Sequence, residues 1–249
     1  MTEEGSDMTG IGHPNYLRVA LLSALAAGLC LVGSLLLPFA IALMVGQSMG
    51  NPTNPPRAFV VAMILLTLVS LISGSAAWGI ALARIAGYSR PRRLALAGAL
   101  SYGPATLAAA YLLGRIEPIV VEGAPGLPIH VLFSLLFVPT VFVVVAVTGI
   151  AIGIALQDRR VGASTALVGG LAAALAFLIV DLLLDSLGMR VGAPRAAESA
   201  TMIKVLAIGD LGAALAGSAV IGVILARHVA VQQAGEGAPS ATLQTSSQP

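Results

Sequence analysis

Of the chain's 249 residues, 57% are hydrophobic and only 10% are charged, against about 25% charged in an ordinary soluble domain. That balance excludes a soluble globular fold, and 4% aromatics are too few for the girdles of an outer-membrane barrel. The formal charge of +2, from 13 basic and 11 acidic residues, leaves no basic patch dense enough for nucleic acid.

The apolar runs are continuous, so an all-α bundle of transmembrane helices is expected, with about 20 apolar residues to each span. Residues 1–15 are polar and acidic and read as a disordered cytoplasmic tail. They lack the basic start of a cleaved signal, and the run that follows is too long for one. The membrane domain then occupies 16–227. Its first span, 16–45, holds Pro38 and the only cysteine, Cys30, which can form no internal disulfide. A turn-rich segment, 46–57, precedes a second span over 58–83. Arg84, Arg90, Arg92 and Arg93 follow as a basic cytoplasmic loop. The third span, 94–113, is interrupted by Tyr102, Gly103 and Pro104, a break tolerated where neighbouring groups re-satisfy the backbone. A loop over 114–130 leads to a fourth span at 131–156. The fifth is expected at 163–187 and the sixth at 201–226, followed by a second disordered cytoplasmic tail at 228–249.

Six spans put both termini on one side. With the termini inside, eight basic residues (Arg18, Arg84, Arg90, Arg92, Arg93, Arg159, Arg160 and Arg227) face the cytoplasm and five face outward. The short arginine loop is hard to translocate, which favours N-in, C-in in the cytoplasmic (inner) membrane.

The second, fourth and sixth spans end alike, in Gly79-Ile-Ala-Leu-Ala-Arg84, Gly153-Ile-Ala-Leu-Gln-Asp158 and Gly222-Val-Ile-Leu-Ala-Arg227. Gly-Ser-Ala also recurs from Gly74 and from Gly217. Three helical hairpins in pseudo-repeat would produce this pattern. Gly74, Gly79, Gly149, Gly153, Gly217 and Gly222 are read as packing positions, because small residues let helix backbones approach closely. Gly/Ala-rich faces would also suit a protein partner or a second copy of the chain. The bilayer itself is the first partner.

Charge inside the spans is concentrated in the last hairpin, at Asp181, Asp185, Lys204 and Asp210. Matching levels across an antiparallel pair at about 1.5 Å per residue sets Asp185 beside Lys204, as a structural ion pair at the membrane boundary. Asp210 lies deeper, with no opposite charge at its level in the hairpin. Intramembrane carboxyls line proton or ion pathways or are satisfied by hydrogen bonds, so Asp181 and Asp210 form a candidate proton or cation site.

Three functions are compatible with these residues. The first is a non-catalytic accessory or partner-binding membrane subunit. The second is a small proton- or cation-coupled transporter, or a permease component, working through Asp181 and Asp210. The third is enzymatic: Ile208-Gly209-Asp210 resembles the Gly-x-Gly-Asp motif of intramembrane aspartyl proteases. The resemblance covers a few residues, with Ala207 in place of the first glycine and Ile-Val-Asp181 in place of a tyrosine-led motif. It would make Asp181 and Asp210 the catalytic pair, but the chain is expected not to be an enzyme. His13, His130 and His228 are scattered, and P-loop, HExxH and CxxC patterns are missing, so no cofactor or metal is expected.

Overall fold

The structure, a computed structural model, describes residues 15–48, 56–123, 129–187 and 195–236, except for the side chains of 43, 47, 48, 117–122, 129, 130, 133, 195–207 and 236. Among these residues all regular structure is helical, and six helices are long and apolar enough to cross a membrane. They are span one (Tyr16–Gly46), span two (Arg57–Ile85), span three (Pro91–Ile116), span four (Ser134–Leu156), span five (Arg159–Ser186) and span six (Ile208–Gly235).

Each span packs against its neighbours in sequence, and span six closes the ring against span one. The outer faces carry large side chains such as Leu100 and Ile154, 74% and 72% exposed. Inward positions are smaller, with Ala27, Ala83 and Ala173 fully buried around Phe177, Leu82 and Leu225. An apolar residue facing lipid costs nothing, so close packing, and not burial from water, orders the interior.

Glycine makes the approaches possible. A Cβ on Gly79 would lie 2.7 Å from the carbonyl carbon of Leu94 in span three. One on Gly149 would lie 2.6 Å from Cα of Ala166 in span five, and one on Gly153 would meet Gly162 there. One on Gly222 would lie 2.6 Å from Cβ of Ser23, across the closing contact with span one. Gly74 abuts Cys30 and Ser34, and a Cβ on Gly217 would lie a tight 3.2 Å from Cβ of Ala173 in span five.

Hydrogen bonds add register. The Trp78 indole Nε1 donates to Ser218 Oγ at 2.8 Å, and Ser218 Oγ donates to the Ser23 carbonyl at 2.7 Å. This chain ties spans two, six and one in the buried centre. Thr165 Oγ1 lies 2.7 Å from the Val161 carbonyl of its own helix and 3.0 Å from the Gly149 carbonyl across the span four–five contact. Spans one and five each contain one π-helical turn, Gly28–Val32 and Thr165–Gly169, a local widening that often accompanies functional positions.

The turns obey local chemistry. After span two, Gly87 adopts φ +73°, and Tyr88 N–H returns to the Ala83 carbonyl at 2.8 Å, a Schellman closure. After span four Gln157 takes the left-handed position at φ 58°. Asp158 then caps span five, its Oδ1 accepting from Arg160 N at 2.8 Å and Val161 N at 3.2 Å.

Two boundaries differ from the sequence reading. The third helix runs over Pro91–Gly123, well into the segment expected as the 114–130 loop. The last runs over Arg195–Glu236, beginning before 201 and covering the first nine residues of the expected 228–249 tail. Hydropathy marks where lipid ends, but helix hydrogen bonding continues until a breaker intervenes, and Ala-Val-Gln-Gln-Ala supports it until Gly235. Most of the 1–15 tail, and residues 237–249, lie outside the described residues.

Candidate functional site

Span six rests on span five through its glycines. A Cβ on Gly209 would lie 2.7 Å from the Phe177 ring, and one on Gly212 would lie 2.9 Å from Val180. Asp210 follows Gly209 and is turned about 100° from it around the helix, away from that contact. It is half-buried and lines a cavity of about 140 Å³ inside the bundle.

Four spans build the cavity. Leu35 comes from span one, Tyr102 and Thr106 from span three, Phe137 and Thr140 from span four, and Asp210 from span six. The space exists because Ala109, Ala110, Ala213 and Ala214 also face it, and short side chains cannot fill a gap between helix axes. Phe137 is held by stacking on Phe177, with ring centroids 6.3 Å apart and planes within 8°. Thr140 Oγ1 donates to its own helix, to the Leu136 carbonyl at 2.7 Å. Thr106 Oγ1 is buried, with the Tyr102 hydroxyl as its polar neighbour across one helical turn. A hydroxyl in an apolar interior needs such a neighbour, and both side chains line the same cavity as the Asp210 carboxyl.

Asp181 is placed differently. Its Oδ2 accepts a hydrogen bond from Ser134 Oγ of span four, and it is not among the residues lining the Asp210 cavity. With Gly209 level with Phe177, Asp210 lies about one helical turn deeper than Asp181. Asp185 is half-buried near the end of span five. The expected Asp185–Lys204 pair falls outside the described residues, because the Lys204 side chain does.

At the opposite end of span six, Arg84, Arg90 and Arg92 are exposed and Arg93 is half-buried. His228 Nδ1 stands 3.5 Å from Asp158 Oδ2. The Asp158 carboxyl is held below its usual range, chiefly by the Val161 N–H, with the Arg160 N–H and the charges of His228 and Arg160 adding to it against a partial desolvation.

A lateral groove of about 530 Å³ runs between spans three and four. Leu100, Pro104, Ala108, Pro139, Val143 and Val147 line it, and Ala109, Leu113, Thr140 and Val144 form a wall shared with the Asp210 cavity. In the sequence Tyr102 stands out as part of a helix break, whereas Thr106, Phe137 and Thr140 do not stand out as its companions. Their only signal is a hydroxyl or ring at helical spacing from a break, which is common in any membrane helix.

Among the described residues no group of three or more His, Cys, Asp or Glu side chains could hold a metal ion. No protein-family model, curated protein or solved structure matches this chain.

Proposed function

We propose that this chain is a small transporter, or the membrane component of a permease, that binds a proton or cation at Asp210 in a bundle of three hairpins. The reading rests on one observation above all: a cavity among spans one, three, four and six, lined mostly by carbon, reaches Asp210. An accessory subunit expects a sealed core and free Gly/Ala faces for its partner. Here Gly74, Gly79, Gly149, Gly153, Gly217 and Gly222 are all used within the chain. A protease expects Asp181 and Asp210 in one site, and Asp181 is engaged by Ser134 instead.

The pseudo-repeat gains support from the closing contacts. Gly79, Gly153 and Gly222 each abut the next span round the ring, at Leu94, Gly162 and Ser23. Sequence-equivalent glycines in equivalent contacts are what three related hairpins would give. Membrane folds made of internal repeats place solute sites at the repeat interface, near mid-membrane. The exposed arginines after span two favour an N-in, C-in orientation in the cytoplasmic membrane.

The test is the melting temperature of the detergent-purified chain from acid to alkaline pH, with and without sodium or potassium, for wild type and Asp210→Asn. A species bound only by the folded state raises stability with its concentration. A proton or cation dependence present in wild type and lost in the variant supports the site. Parallel curves for the two proteins make Asp210 structural and refute it.

A further inference from the structure

The chemistry of the cavity wall narrows the class of cation. Among the described residues, Tyr102, Thr106 and Thr140 are the ones besides Asp210 that bring side-chain oxygens to it, and the Thr140 hydroxyl already donates to Leu136. A divalent metal ion needs about six or more oxygens to replace its water, and the carbon-lined remainder of the wall cannot supply them. An organic ammonium ion has different needs. One carboxylate answers its charge, aliphatic walls suit its alkyl groups, and aromatic faces attract it through their ring quadrupoles. Asp210, the alanines and valines, and the rings of Tyr102 and Phe137 offer that combination. Thr106 and the Tyr102 hydroxyl form the one polar edge of the wall beside Asp210.

The route follows from the adjoining groove. At about 140 Å³ the cavity accepts a headgroup and little more, whereas the groove of about 530 Å³ offers room for an apolar body. Leu100, Ala108, Leu112, Val143 and Val147 of the groove are exposed on the lipid-facing flank. Pro104 and Pro139 lie on its two sides, and each removes one backbone hydrogen bond and loosens its helix locally. Only the side chains of Ala109, Leu113, Thr140 and Val144 are shared between groove and cavity.

We infer that the Asp210 cavity is the headgroup site for a small lipophilic ammonium ion that reaches it from the bilayer between spans three and four. This rests on the reading of Asp210 as a cation-binding carboxyl, and it names the ligand class and the path.

The experiment uses the full chain in lipid nanodiscs with radiolabelled benzyltrimethylammonium as probe and neopentylbenzene, its uncharged carbon analogue, as competitor. Wild type should bind the probe saturably, and the neutral analogue should compete at least about tenfold less well, a difference of about 1.4 kcal/mol. Asp210→Asn should weaken the probe by about tenfold or more. Ala108→Phe, at a position that lines the groove and not the cavity, should slow association severalfold and leave equilibrium affinity nearly unchanged. Equal competition by the neutral analogue overturns the proposal on wild type alone, even if Asp210→Asn fails to fold. An unchanged association rate in Ala108→Phe overturns the bilayer route. If the probe does not bind but sodium or protons still stabilise wild type through Asp210, the ammonium proposal fails and the ion site stands. If neither binds, both fall.

Discussion

Replacing Gly149 by alanine tests the packing that holds the ring together. The added Cβ would lie 2.6 Å from Cα of Ala166 and 2.7 Å from the carbonyl carbon of Thr165. Non-bonded carbons settle at about 3.5–4.0 Å, so spans four and five must separate by about 1 Å. The obstacle is backbone, which cannot rotate away as a side chain tip could. Separation would also stretch the 3.0 Å hydrogen bond from Thr165 Oγ1 to the Gly149 carbonyl. Overpacking costs typically about 1–3 kcal/mol, and the Thr165 hydroxyl keeps the nearer Val161 carbonyl, at 2.7 Å, as an acceptor. Alanine's better helix propensity returns about 1 kcal/mol at most. The net expectation is a loss of about 1–2 kcal/mol. Gly33 is the control, because a Cβ there meets nothing within 4 Å, and Gly33→Ala should be neutral or stabilising. The assay is thermal or denaturant unfolding of both variants in the same detergent. If Gly149→Ala is as stable as Gly33→Ala, the close approach of spans four and five does not exist as described.

Other outcomes follow from the same geometry. Ser218→Ala removes the acceptor of Trp78 Nε1 and the donor to the Ser23 carbonyl; leaving buried polar groups unpaired should cost about 1–3 kcal/mol, read by melting and by a change in the fluorescence of Trp78, the sole tryptophan. Asp158→Ala removes the cap of span five and should lose about 0.5–2 kcal/mol, whereas Asp158→Asn can still cap and should lose less. The folded-state pKa of Asp158 lies below its unfolded value near 3.8. Its ionised form therefore contributes stability that is complete above that value and lost as pH falls through the folded pKa. An acid melting series should show this loss in wild type and not in Asp158→Asn. Ser134→Ala, which removes the donor to Asp181, should lower the melting temperature without altering any cation dependence that belongs to Asp210.

The sequence made the membrane architecture legible and left the site mostly hidden, for physical reasons. Lipid imposes long apolar helices, so the six runs stand out in composition alone. Helix ends beyond the lipid, at Gly123 and Glu236, are set by hydrogen bonding and propensity, which hydropathy does not register. The level of Asp210 within its hairpin could be worked out from rise per residue. Its direction could not, because pairing with Tyr102, Thr106 and Phe137 depends on how spans three and four are rotated against span six. Asp181 illustrates the same limit. Sequence adjacency suggested Asp210 as its companion, but Ser134, 47 residues away on another span, holds it.

If Asp210 carries a cation into or through this bundle, charge should move in proteoliposomes after a step in benzyltrimethylammonium, sodium or proton concentration. Wild type should give a transient current for at least one of these cations, and a folded Asp210→Asn none above empty liposomes. A wild type as silent as empty liposomes, or a variant that conducts as well as wild type, would contradict that role for Asp210.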